Sequence, residues 1–125
     1  MTTQGMTTYE PFTLGILIKN LRDLPPDTKV RGLDGIVHSY RGWYDRNATT
    51  PTGLTRTAEE LAGWYQSDVG ASMSGWKGGV YTISADQLIY YADHGDMGPL
   101  IIGLEPTDDD GTYTPVLLVD NNYLL

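Results

Sequence analysis

Residues 38–45 read HSYRGWYD, which gathers one imidazole, one guanidinium and three aromatic rings into eight positions. A planar guanidinium can donate paired hydrogen bonds to a phosphate, and tyrosine and tryptophan rings can stack on a base or wall off an apolar ligand. On a strand, His38, Tyr40, Gly42 and Tyr44 share one face, with Ser39, Arg41 and Trp43 on the other. A bulge at Gly42 breaks that alternation and re-aims Arg41. Three roles suit the segment: a ligand surface, an aromatic core strand with Arg41 paired to Asp45, or a subunit interface, because Tyr, Trp and Arg dominate interface hot spots.

Other segments carry weaker chemistry. Residues 74–79, SGWKGG, bring glycines next to Lys77, but the spacing of a Walker phosphate loop is absent and a strand, not a helix, is expected to follow. The segment reads either as a glycine-hinged strand entry with an exposed lysine or as Lys77 and neighbouring amides holding a phosphate. The two histidines, His38 and His94, do not fit a paired H-x-[ST] phosphoesterase pattern, since Tyr40 and Asp96 occupy the hydroxyl positions. His38, Asp93, His94 and Asp96 lack the spacing that makes a metal motif specific, so no metal or other cofactor is implied. Without a G-x-S-x-G segment, a cysteine nucleophile or paired carboxylates at a catalytic spacing, ordinary hydrolase mechanisms have no visible parts. In an enzyme, His38 and His94 would be the general acid or base candidates.

Charge narrows the partners further. Sixteen acids against eight bases give a net charge of −8, which argues against duplex nucleic acid, whose binders need a basic face to displace counterions. A small phosphorylated ligand stays compatible, because two or three placed cations can bind it locally. The bases are Lys19, Arg22, Lys29, Arg31, Arg41, Arg46, Arg56 and Lys77, and the last 48 residues carry none. An anion site must therefore draw its cations from the first two thirds of the chain, or from another subunit. With no cysteine there is neither a disulfide framework nor a thiolate zinc site. No apolar run approaches the ~20 residues of a membrane span, and the start has neither the basic nor the apolar region of a signal peptide, so a cytoplasmic chain with no membrane partner is expected.

The elements that must position these groups follow from patterning. At 125 residues one domain is expected, a flexible leader over 1–12 followed by a ligand-binding domain over 13–125. Thr13 caps a helix whose Leu14, Leu17, Ile18, Leu21 and Leu24 recur at helical spacing, with Phe12 stapled onto Leu17 and Pro25-Pro26 as the stop. Thr57-Ala58-Glu59-Glu60 is a capping-box pattern for a second helix, with Leu61, Trp64 and Tyr65 on its inner side and Gly70 at its end. Strands are expected at 29–30, 36–44, 75–84, 87–92, 100–104 and 115–119, and Asp108-Asp109-Asp110-Gly111 reads as a hairpin turn. Two helices with five or six mostly antiparallel strands make an α+β domain.

The order of these motifs resembles a known family. An L-x-x-L-I helix, LPPDTKV, a glycine turn, SYRGWYD, a TAEEL helix, GWKGG and a late YYADHG occur in sequence over residues 13–104. The arrangement is similar to that of phage anti-defence proteins of the Thoeris type, the first described family. Its members are sponges that sequester cyclic ADP-ribose isomers made by bacterial Toll/interleukin-receptor-domain proteins. The resemblance implies an α+β protomer that assembles into dimers and a hexamer in the host cytoplasm and binds its cyclic nucleotide without cleaving it. Some members also bind cyclic trinucleotides at separate sites. Carried onto matching positions, it implicates Tyr40, Arg41, Lys77 and Asp93. Arg31 joins them on charge, and Tyr44, His38 and His94 by place. In that role Arg31 and Arg41 would neutralise a diphosphate, Tyr40 or Tyr44 would cover a base or ribose, and Asp93 would accept from an amino or hydroxyl group. Asp93-His94 stands where the family has an Asn-Tyr pair, and the chain has no late arginine. The other functions open to the sequence are a phage protein–protein interaction module acting on a host factor and an enzyme that degrades a nucleotide signal.

Overall fold

A computed structural model describes residues 10–40, 46–74, 80–93, 97–107 and 110–118. Helix α1 (Leu14–Asp23) begins where the sequence places it: the Thr13 hydroxyl accepts from the Ile16 amide at 3.1 Å, satisfying one of the donors a helix start leaves open. The Leu14 and Gly15 amides donate to the Gln87 and Ala85 carbonyls, so this end of the helix is held by the chain beneath it. Leu14, Leu17, Ile18 and Leu21 form its buried stripe. Helix α2 (Ala58–Asp68) carries the full reciprocal capping box of Thr57 and Glu60 and buries Ala58, Leu61, Ala62 and Tyr65. Gly70, at φ +86°, turns the chain after it. The two helices share one core with Val30, Leu33, Ile89 and Ile101.

Among the described residues nine short strands surround the helices: β1 (Lys29–Arg31), β2 (His38–Ser39), β3 (Asn47–Thr49), β4 (Thr55–Thr57), β5 (Ser72–Ser74), β6 (Val80–Thr82), β7 (Ile89–Tyr91), β8 (Ile101–Pro106) and β9 (Tyr113–Leu117). They pair as a four-stranded sheet in the order β4-β1-β9-β8, a three-stranded sheet β2-β3-β7 and a two-stranded ribbon β5-β6. The β1–β9 and β3–β7 pairs are parallel and the others antiparallel. Phe12 ties two of these layers together: its amide donates to Ile101 of β8, its carbonyl accepts from Ile89 of β7, and its side chain is buried. No helix among the described residues is long and apolar enough to cross a membrane.

The α+β class stands, but the strands are shorter and more numerous than the sequence suggests. Of the strand expected over 36–44, only His38 and Ser39 pair; Ile36 is exposed on the approach, the Tyr40 amide donates to Arg46, and residues 41–45 lie outside the described residues. Of the strand expected over 75–84, Val80–Thr82 pair antiparallel with Ser72–Ser74, and residues 75–79 lie outside the described residues. Trp64 departs from its expected inward place: it is 41% exposed, and the small Ala58 and Ala62 fill the inner face. Strands β8 and β9 pair antiparallel and Gly111 has φ +84°, while residues 108 and 109 of the expected hairpin turn lie outside the described residues.

Candidate functional site

Sheet β2-β3-β7 holds two of the candidate residues, and both are engaged within the fold. His38 is 4% exposed, with Nε2 3.0 Å from the Ala92 carbonyl and 3.2 Å from the Thr50 hydroxyl. A carbonyl can only accept, so Nε2 carries the proton in this arrangement. Tyr40 stacks on Tyr90 with ring centroids 3.8 Å apart, and its hydroxyl accepts from the Gly98 amide at 3.2 Å while lying 3.4 Å from the Gly98 carbonyl. Gly98 itself passes so close to the Tyr91 carbonyl and Ala92 that no side chain fits there. His38 and Tyr40 are therefore buried and engaged with Ala92 and Gly98. Asp93, next in the chain after Ala92, is exposed. Arg41, Tyr44, Lys77 and His94 lie outside the described residues.

Arg31 lies elsewhere, in a groove of about 440 Å³ lined by Lys29 and Arg31 of β1, Thr55, Arg56 and Thr57 of β4, Glu60 of α2, and Asp110 and Thr112 beside β9. Its construction follows from register. Lys29 pairs with Thr57 and Arg31 with Thr55, so these four alternate away from Val30, which is wholly buried. Arg56 sits opposite Val30 but on the edge strand, where its chain escapes the core and the guanidinium lies 5.7 Å from the centre of the Trp64 ring. Three bases thus converge on one surface of an otherwise acidic protein. His38, Tyr40 and Asp93 are not among its walls.

The acids at the rim are tied into local structure. Glu60 accepts from the Thr57 amide at 3.1 Å and the Thr57 hydroxyl at 3.2 Å within the capping box. The Asp110 carboxyl is held below the usual carboxylate range by hydrogen bonds from Thr112 and, less strongly, by Lys29. The first-turn donors of α2 are already taken, since the Ala58 amide donates to Thr28, the Glu59 amide to Pro26 and the Glu60 amide to the Thr57 hydroxyl. An anion in this groove would therefore meet the Lys29, Arg31 and Arg56 side chains rather than helix-end amides. The Thr57 hydroxyl is committed to the cap, and among the described residues no histidine lines the groove. The arrangement of these three cations can bind and neutralise an anion.

Sequence reading named Arg31 but missed Lys29 and Arg56 as its companions. The available signal was the pairing of the strand expected at 29–30 with a second polar triplet, TRT, which is too short to register as a strand alone. Among the described residues no group of three or more His, Cys, Asp or Glu could hold a metal ion. No family model matches the chain, and neither does any curated protein or solved structure.

Proposed function

We propose that this chain binds and sequesters a small phosphorylated signal of the cyclic nucleotide class without cleaving it, acting as a phage anti-defence protein in the host cytoplasm. The observation that carries the reading is the convergence of Lys29, Arg31 and Arg56 on one groove of a protein with net charge −8. A guanidinium fork matches a phosphate edge, and two such forks beside an ammonium suit a diphosphate better than a single carboxylate. The volume of the groove falls within the range of small-ligand sites. The motif order described above supports the same class of ligand and a homo-oligomeric assembly.

Thermal denaturation against cyclic ADP-ribose isomers and cyclic di- and trinucleotides, followed by chromatography of ligand recovered after boiling, tests the reading. A ligand present at about 100 times its dissociation constant stabilises the fold by about 2.7 kcal/mol, and it should be recovered intact and in stoichiometric amount. The Arg31→Glu, Arg56→Glu double variant should lose that shift. Recovery of altered ligand in excess over protein would instead identify an enzyme. A flat response across the whole panel would leave a protein-interaction module, for which the exposed Ile36 and Leu54 beside the 32–35 loop would be the contact residues.

A further inference from the structure

The three cations of the groove stand on two strands of three residues each, Lys29 and Arg31 on β1 and Arg56 on β4. The ends of such elements open most easily, so what holds them decides where their side chains stand. Beside Lys29 the first turn of α2 does the holding, through the Ala58 amide on the Thr28 carbonyl and the Glu59 amide on the Pro26 carbonyl. Arg31 is at the opposite end, where Gly32, at φ +105°, turns the chain off the strand. The Gly32 amide donates to the Leu54 carbonyl, but β4 is the outer strand of its sheet, so this bond ties two short strands only to each other. A tie to the rest of the fold comes from Tyr91 of β7, in the three-stranded sheet, whose hydroxyl donates to the Gly32 carbonyl at 2.6 Å. The approach is close: a Cβ on Gly32 would stand 3.0 Å from that hydroxyl and 3.3 Å from Pro115 Cδ. The Thr52 backbone, in the segment that enters β4, interacts with the same phenol. The chain leaving β1 and the chain entering β4 thus meet at one hydroxyl.

We infer that Tyr91 is a positioning residue for the anion groove: it is not one of the groove's walls, and by holding the Gly32 carbonyl it sets where Arg31 stands. The inference rests on the anion-binding reading above and adds a residue, outside the groove, on which affinity depends. With the phenol in place the end of β1 is ordered when the chain folds, and Arg31 meets an anion at no further ordering cost. Without it that cost falls on the binding step, and affinity drops although no contact to the anion has been removed. Lys29, at the end held by α2, does not share this dependence.

Calorimetric titration with inorganic pyrophosphate tests this in the unsubstituted protein and in Tyr91→Phe, each alone and combined with Arg31→Gln or Lys29→Gln. Tyr91→Phe keeps the ring and removes one hydroxyl, and it should weaken pyrophosphate about fivefold, the worth of one hydrogen bond. In the Arg31→Gln background the same change should alter the dissociation constant by less than about twofold, because no guanidinium is left to misplace. In the Lys29→Gln background it should again weaken binding about fivefold. A Tyr91→Phe protein that binds like the parent overturns the inference and leaves the groove standing. So does a loss of equal size in both backgrounds, which is what a general loosening of the fold produces. If pyrophosphate does not bind the unsubstituted protein, the anion-binding reading fails and takes this one with it. Should Tyr91→Phe not fold, the resonance of the Tyr91 ring carbon that bears the hydroxyl decides the matter in the unsubstituted protein. Coupling is reciprocal, so saturation with pyrophosphate should shift that resonance, and an unmoved resonance overturns the inference.

Discussion

The Thr49 hydroxyl sits between a carboxylate and a phenol, donating to Asp34 Oδ1 at 2.7 Å and lying 2.9 Å from the Tyr65 hydroxyl. A hydroxyl has one proton to give, so Tyr65 must be the donor to Thr49, and the chain of bonds runs from α2 through β3 to the 32–36 loop. Thr49 and Tyr65 are both fully buried. Tyr65→Phe removes one end of the chain and should cost about 1 kcal/mol in urea denaturation, whereas Thr49→Val leaves the buried phenol without its acceptor, Asp34 Oδ1 keeping only the Ile36 amide, and should cost about 1–3 kcal/mol. Burial also pushes the Tyr65 phenol well above its ordinary value of 10.0. Its folded form holds the proton more tightly than the unfolded chain, so its contribution is complete below pH 10.0 and is lost as pH rises beyond it. Stability should fall less steeply with alkali in Tyr65→Phe than in the parent. None of this was legible beforehand, because a buried threonine reads as a surface residue until its partners are known. The same holds for Asn47, wholly buried beside it, whose Nδ2 donates to the Ser84 carbonyl at 3.0 Å.

Elements differ sharply in how far local sequence specifies them. Both helix starts were legible because capping is a contact between residues three apart, Thr13 with Ile16 and Thr57 with Glu60, and needs no tertiary information. The strands were less so: β3 and β4 are three residues long, and what makes NAT and TRT strands is a neighbour far along the chain. The site inherited that weakness, since Arg56 belongs to β4. The other end of α2 shows a local conflict. Asp68 is the last helical residue, where the helix dipole favours positive charge, yet its Oδ2 accepts from the Val37 amide at 3.1 Å and so anchors the entry to β2. Burial, with Asp34 nearby as a smaller cause, raises the Asp68 carboxyl above its ordinary value of 3.8. A raised value means that this group's favourable contribution is complete below pH 3.8 and declines as pH rises through its folded pKa. Asp68→Asn keeps an acceptor for Val37 but does not titrate. Its stability relative to the parent, measured by denaturant midpoints across pH, should therefore be higher at neutral pH than in acid. A difference that does not change with pH would mean the carboxyl is effectively solvated.

For the molecule as a whole, the distribution of charge is more informative than its sum. The absence of Lys and Arg after residue 77 meant that any anion site had to take its cations from earlier segments, and the groove does so with Lys29, Arg31 and Arg56. What the C-terminal third adds is an acid: the β8–β9 connection brings Asp110 to the rim, near enough to Lys29 to feel its charge. Because Asp110 is held below the usual carboxylate range, it is fully charged at neutral pH and opposes an incoming phosphate. Asp110→Asn removes that charge yet keeps an acceptor for the Thr112 amide, which now donates to Oδ1 at 3.1 Å. Pyrophosphate should consequently bind Asp110→Asn about threefold or more tightly than the parent at low ionic strength, with charges a few ångströms apart across solvent. Screening shortens to about 3 Å at 1 M salt, so the advantage should shrink toward nothing there, and isothermal titration at the two salt concentrations reads both values. An affinity that is the same in the two proteins at low salt would place the bound anion away from this groove. An advantage that survives high salt would mean that the substitution reshapes the hairpin instead of relieving its charge.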